Sequence, residues 1–141
     1  MGFSVRIGAL IVYNQNMSAP RPLRILVVDD DRVLNNEVVA RLTKSGFFPE
    51  QAFDGESALE KMSSPFDLVI LDLVMPAMSG FEVLKEMQKR NIVMPVVVLS
   101  TLRQEADVQR AESFGARECL AKATPNFMDA VVAYAEKVSI E

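Results

Sequence analysis

Val69-Ile70-Leu71-Asp72-Leu73-Val74-Met75-Pro76 is the stretch around which this chain is ordered. Four apolar residues, Leu68 to Leu71, run straight into one carboxylate. That run is too short for a helix and suits a strand buried on both faces, as in a parallel sheet. Asp72 then stands at the strand's carboxyl end, where the chain leaves the core. Met75-Pro76 and Ser79-Gly80 punctuate the loop that follows. A carboxylate in that position is either a loop cap or a functional group in a crevice, and the other strand ends decide between the two.

Moving toward the amino end, Arg24 to Val28 is a second apolar run, ending in Asp29-Asp30-Asp31. From Arg32 the pattern turns helical: Val33, Leu34, Val38, Val39 and Leu42 recur at spacings of about three and four, and Gly46 closes the helix. Phe48 to Phe53 is a weaker strand, interrupted by Pro49 and so suited to an edge. Asp54-Gly55 turns the chain into a short helix, Glu56 to Met62, with Ala58, Leu59 and Met62 inward. Toward the carboxyl end, Phe81 to Lys89 is a helix with Phe81, Leu84 and Met87 on one side. The strand Val96 to Leu99 follows, ending in Ser100-Thr101. Gln104 to Phe114 is a helix stopped by Gly115. Cys119-Leu120-Ala121 is a short strand ending in Lys122, and Phe127 to about Val138 is the last helix. Strand and helix alternate five times with short connections, which predicts an α/β fold: a parallel sheet with helices on both faces.

The chain has 141 residues, enough for one domain with a core. Half is hydrophobic and 24% charged, with 15 Lys and Arg against 19 Asp and Glu. No basic cluster suggests a nucleic-acid partner. One cysteine, Cys119, allows no internal disulfide and no thiolate metal cage. With no histidine, Ser-His and Cys-His catalysis, histidine ligation and a phosphohistidine carrier role are excluded. Residues 1–20 read as an N-terminal extension and 21–141 as the domain. The apolar run Ile7 to Tyr13 falls far short of the roughly 20 residues that span a bilayer, so no membrane partner is expected. Residues 1–16 read as a leader, an early-start extension or an expression remnant; the competing reading is an extra strand or a sticky arm.

The polar groups now fall on one edge. Asp29 and Asp30 end the first strand of the domain, Asp72 the third, Ser100 the fourth and Lys122 the fifth. In open parallel sheets ligands bind at the carboxyl ends of the strands, where strand order reverses. Taken one at a time, each group has an ordinary explanation: a helix cap for Asp31 or Ser100-Thr101, a solvated lysine for Lys122. Four coinciding on one edge point to a site. Three carboxylates in one crevice repel one another, and a divalent cation removes the conflict. Oxygen-only ligands select a hard ion, and Mg²⁺ is the natural candidate. Carboxylate, metal, lysine and hydroxyl together are the parts of a phosphoryl-transfer site, with the carboxylate as nucleophile.

Those same residues carry a resemblance. Ile25-Leu26-Val27-Val28-Asp29-Asp30, Leu71-Asp72-Leu73-Val74-Met75-Pro76 with Met78-Ser79-Gly80, Val96-Val97-Val98-Leu99-Ser100, Ala111 with Gly115-Ala116, and Lys122 stand in the order found in receiver domains. From about Arg24 onward the chain resembles receivers of the two-component response-regulator family. The resemblance implies a doubly wound, flavodoxin-like (βα)5 sheet in strand order 2-1-3-4-5. It implies Asp72 as phosphoacceptor, Asp30 as direct Mg²⁺ ligand, Asp29 as a ligand through water and Val74 as a carbonyl ligand. Ser100 would bond the phosphoryl group and carry the switch, and Lys122 would pair with a phosphoryl oxygen. The donor would be a phosphohistidine on a sensor histidine kinase or histidine phosphotransfer protein, and the target a downstream effector protein, all in the cytoplasm. Such a protein is mainly a signalling switch, with self-phosphorylation and slow autodephosphorylation.

Two positions depart from the family. Cys119 stands where an aromatic residue is usual, three before the lysine, and Ala123 follows Lys122 where proline is usual. A cis bond before Ala123 would cost roughly 2.5–4 kcal/mol, so a trans bond is expected. The chain ends after its last helix, which reads as a stand-alone or excised receiver. On that helix Phe127, Val131, Tyr134 and Val138 form one stripe, widened by Met128, Val132 and Ala135. It reads as generous packing or, more sharply, as a surface for a partner or a second copy. Two rival functions remain. Asp29-x-Asp31-x-Val33 fits the short signature of haloacid-dehalogenase-type phosphatases, with Asp29 as nucleophile and Asp31 as acid/base, though the chain is small for that family. A degenerate receiver that only docks partners is the other.

Overall fold

A computed structural model describes residues 4–7, 10–13, 22–102 and 104–141. Strands β1 (Ser4–Ile7) and β2 (Leu10–Tyr13) pair antiparallel as a sheet of their own, Ser4 opposite Tyr13 and Ile7 opposite Leu10. The main sheet holds β3 (Arg24–Val28), β4 (Phe48–Ala52), β5 (Leu68–Leu71), β6 (Val96–Ser100) and β7 (Glu118–Ala121). All its pairs are parallel, and the order is β4-β3-β5-β6-β7. Counted over these five strands the order is 2-1-3-4-5, the doubly wound order expected. Pro49 is tolerated because β4 is an edge strand.

The helices are α1 (Arg32–Lys44), α2 (Gly55–Lys61), α3 (Gly80–Lys89), α4 (Glu105–Ser113) and α5 (Phe127–Ser139). Side-chain caps start three of them: Asp31 accepts the Leu34 N–H, Asp54 the Ser57 N–H and Ser79 the Glu82 N–H. Because strand side chains alternate, each strand feeds two cores. Leu26, Val28, Val69, Leu71, Val96 and Val98 pack against α2, α3 and α4. Ile25, Val27, Leu68, Ile70, Val97 and Leu99 pack against α1 and α5. Each of the four residues of β5 is almost wholly buried, and truncating such a side chain to alanine costs roughly 2–5 kcal/mol.

Two inward assignments change. Val33 is 71% exposed, off the face that α1 buries. Asn35, wholly buried, holds that face with Val38 and Leu42 at spacings of three and four. In α3, Val83 is buried beside the expected Phe81, Leu84 and Met87. The stripe on α5 is spent on packing: Val131, Tyr134 and Ala135 are buried, while Phe127, Met128, Val132 and Val138 lie half-buried against the same core.

Candidate functional site

The parallel register brings the strand ends level. Val28 pairs with Leu71 in β5 and Ala52 in β4, and Ser100 with Ala121 in β7. Asp29, Asp72 and Lys122 are therefore each the first residue beyond a strand, and they meet on one edge. Backbone bonds hold them there: the Asp29 N–H donates to Ala52 O at 3.2 Å, Asp72 N–H to Val28 O at 3.0 Å, and Lys122 N–H to Ser100 O at 3.0 Å.

Carboxylate oxygens of Asp29, Asp30 and Asp72 lie within 4.8 Å of one another. Asp29 and Asp72 are buried and Asp30 is exposed. Lys122 Nζ reaches Asp29 Oδ2 at 2.7 Å and Asp72 Oδ2 at 3.3 Å. Backbone donors add support: Asp31 N–H to Asp29 Oδ1 at 2.9 Å, and Val74 N–H to Asp72 Oδ1 at 3.3 Å. One cation still faces three carboxylates. Burial pushes the Asp72 carboxyl up to about 6; Lys122 opposes this and the charge of Asp29 adds to it. For Lys122 burial works downward, yet the hydrogen bond to Asp29 and the charges of Asp72 and Asp29 hold its ammonium above its usual value. An uncompensated, oxygen-only set of this kind fits a hard divalent cation such as Mg²⁺.

Ser100 ends β6 and is buried; its hydroxyl oxygen accepts the Leu102 N–H at 3.2 Å. Val74 is half-exposed in the loop two residues beyond Asp72. Asp31 is drawn away from the site, since its carboxylate caps α1. No peptide is cis among the described residues, so the Lys122–Ala123 bond is trans, as expected.

Asn35 escaped the sequence reading, and Gly80, read there as loop punctuation and part of the family motif, has a packing role that the sequence did not show. Asn35 Nδ2 donates to the carbonyls of Asp29 at 3.0 Å and Ala52 at 3.1 Å, and its Oδ1 accepts from Gln51 at 3.0 Å. It fastens the Asp29 backbone to β4. The signal was present: a polar residue at a core spacing of the first helix. Gly80 lets α3 start against the Asp72 backbone, because a Cβ there would lie 2.2 Å from Asp72 O.

The sequence profile described as the response regulator receiver domain matches residues 25–132. The chain belongs to the response regulator receiver family. Among relatives of this receiver, RR06 of Streptococcus pneumoniae serotype 2 is 44% identical over 84 residues, 59% of this chain and 38% of RR06. The CpxR homolog of Haemophilus influenzae is 37% identical over 99 residues, 70% of this chain and 43% of that protein. The receiver thus spans about two fifths of these relatives' lengths. Among solved structures, the Francisella response regulator 1452 receiver domain aligns with a TM-score of 0.78 at 26% identity, covering 84% of this chain and 97% of that one. Chemotaxis protein CheY4 of Vibrio cholerae aligns at 0.75 and 30% identity, covering 84% and 99%. No helix among the described residues is long and apolar enough to cross a membrane.

Proposed function

We propose that this receiver accepts a phosphoryl group on Asp72 from a phosphohistidine of a sensor kinase or phosphotransfer protein in the cytoplasm. One observation carries the reading: a buried carboxylate with two more carboxylates and a lysine ammonium around it, on the carboxyl edge of a parallel sheet. An Asp72 oxygen attacks phosphorus, the P–N bond breaks, and its electron pair stays on the imidazole nitrogen, which takes up a proton. Asp29, Asp30, Asp72 and the Val74 carbonyl are the groups that would hold Mg²⁺. The ion would supply positive charge to the phosphoryl oxygens. Lys122 would move from its carboxylates to a phosphoryl oxygen, adding a second positive charge. Ser100 would turn its hydroxyl to the phosphoryl group and release Leu102, so the loop after β6 carries the change to an effector protein.

The test is incubation with Mg²⁺ and a small acyl phosphate. One phosphoryl mass should appear, labile to hydroxylamine, and Asp72→Asn should abolish it. Labelling that survives Asp72→Asn and disappears in Asp29→Asn would show a phosphatase-like nucleophile instead. The role of Asp31 as helix cap gives that alternative no support.

A further inference from the structure

A cleft of about 270 Å³ opens between β6, β7 and α4, beside the carboxylate edge. Its origin lies in side-chain size. Cys119 and Ala121 lie two apart on edge strand β7 and so share a face, and both side chains are small. Helix α4 does not close the gap, since it buries only Ala111. Leu73 and Val98 line the cleft with Leu102, Val108 and Cys119. One hydroxyl enters this apolar lining. Ser100 is 2% exposed, its oxygen accepts the Leu102 N–H, and no acceptor for its proton lies among the described residues.

We propose that this cleft is a binding site for a small neutral molecule built on one apolar ring and carrying a single hydrogen-bond acceptor. Size sets the ring: an apolar cavity of roughly 150 Å³ holds benzene, so this cleft holds a ring with a short substituent. The Ser100 hydroxyl sets the acceptor, because a buried donor without a partner is unfavourable. Charge excludes an anion. Asp107 lines the cleft. The Cys119 thiol is held above its usual value by burial and then by Glu112 and Glu118, so the surroundings are apolar and negative. Occupation would engage the Ser100 proton that the phosphoryl group would otherwise accept, and so weaken the switch. That consequence rests on the phosphoryl reading above; the binding itself does not.

The probe is acetophenone, titrated into the full chain without Mg²⁺ or phosphodonor and followed by amide NMR. Failure here is thereby separate from failure of phosphorylation. Saturable shifts should centre on Ser100, Leu102, Val108 and Cys119. Toluene, which lacks the acceptor, should bind several-fold more weakly, and benzoate should not bind. Cys119→Phe and Val108→Phe fill the cleft from opposite walls, and each should weaken acetophenone by roughly tenfold or more. If one variant fails to fold, the other still decides. Absence of saturable shifts, equal binding of toluene or benzoate, or undiminished binding to a folded variant overturns the proposal.

Discussion

Asp72 is buried among carboxylates, and this makes its ionisation a stability question as well as a chemical one. Its pKa rises from 3.8 to about 6, burial being the largest cause. A carboxyl raised in this way contributes stability that is fully present below about pH 4 and lost as pH climbs through about 6. About two pKa units correspond to roughly 2–3 kcal/mol. Asp72→Asn should therefore stabilise the metal-free chain by about 2 kcal/mol near pH 8, and denaturant melts should show the gap closing toward pH 4. An equal gap at both pH values would place the charge conflict elsewhere. Lys122 is the opposing force: Lys122→Met removes the ammonium from Asp29 and Asp72, so the Asp72 midpoint should rise further above 6. Carboxyl carbon NMR would read it, and an unchanged midpoint would contradict the pairing.

Short elements depend on close backbone approach, and here sequence and structure part company. The start of α3 lies against Asp72 because Gly80 has no Cβ: an added one would meet Asp72 O at 2.2 Å and Leu73 Cα at 2.8 Å. Backbone cannot yield as a flexible side chain does, so Gly80→Ala should cost about 3 kcal/mol and displace the Asp72 loop. Thermal melts and the rate of phosphoryl labelling should both fall; unchanged values for both would show that the helix start relaxes freely. Ser79-Gly80 was readable as a turn, but hydropathy carries no sign of what a helix start must touch. Asn35 was hidden for a related reason. Periodicity marked Val33 because it counts apolar residues, whereas the inner face of α1 needed an amide to bond the carbonyls of Asp29 and Ala52. The carboxylates, Ser100 and Lys122 were legible because each interrupts an apolar strand at its end. The bond from Ser100 to the Leu102 backbone was not, since nothing in the residue types specifies it.

At the scale of the molecule, the alternation of buried strands and amphipathic helices was enough to predict two layers of helices on a parallel sheet. The order 2-1-3-4-5 came with the resemblance, because periodicity does not say which strands are neighbours. That order puts β3 beside β5 and so sets Asp29 and Asp30 against Asp72. Residues from two distant segments thus share one charge conflict, and a cation bound there would join them. Binding to the folded state alone stabilises it, by about 2.7 kcal/mol at a hundredfold excess over Kd. Mg²⁺ should therefore raise the melting temperature by several degrees near pH 8. The gain should shrink in acid, because the metal must compete with the Asp72 proton. Near pH 5, about one unit below the Asp72 midpoint, most of that carboxyl is protonated and affinity should drop roughly tenfold, about 1.4 kcal/mol. Asp30→Ala should remove the gain at both pH values while leaving the metal-free melt close to wild type, since Asp30 is exposed. Calorimetric scans with and without Mg²⁺ decide this, and a full Mg²⁺ gain in Asp30→Ala would exclude Asp30 as a ligand.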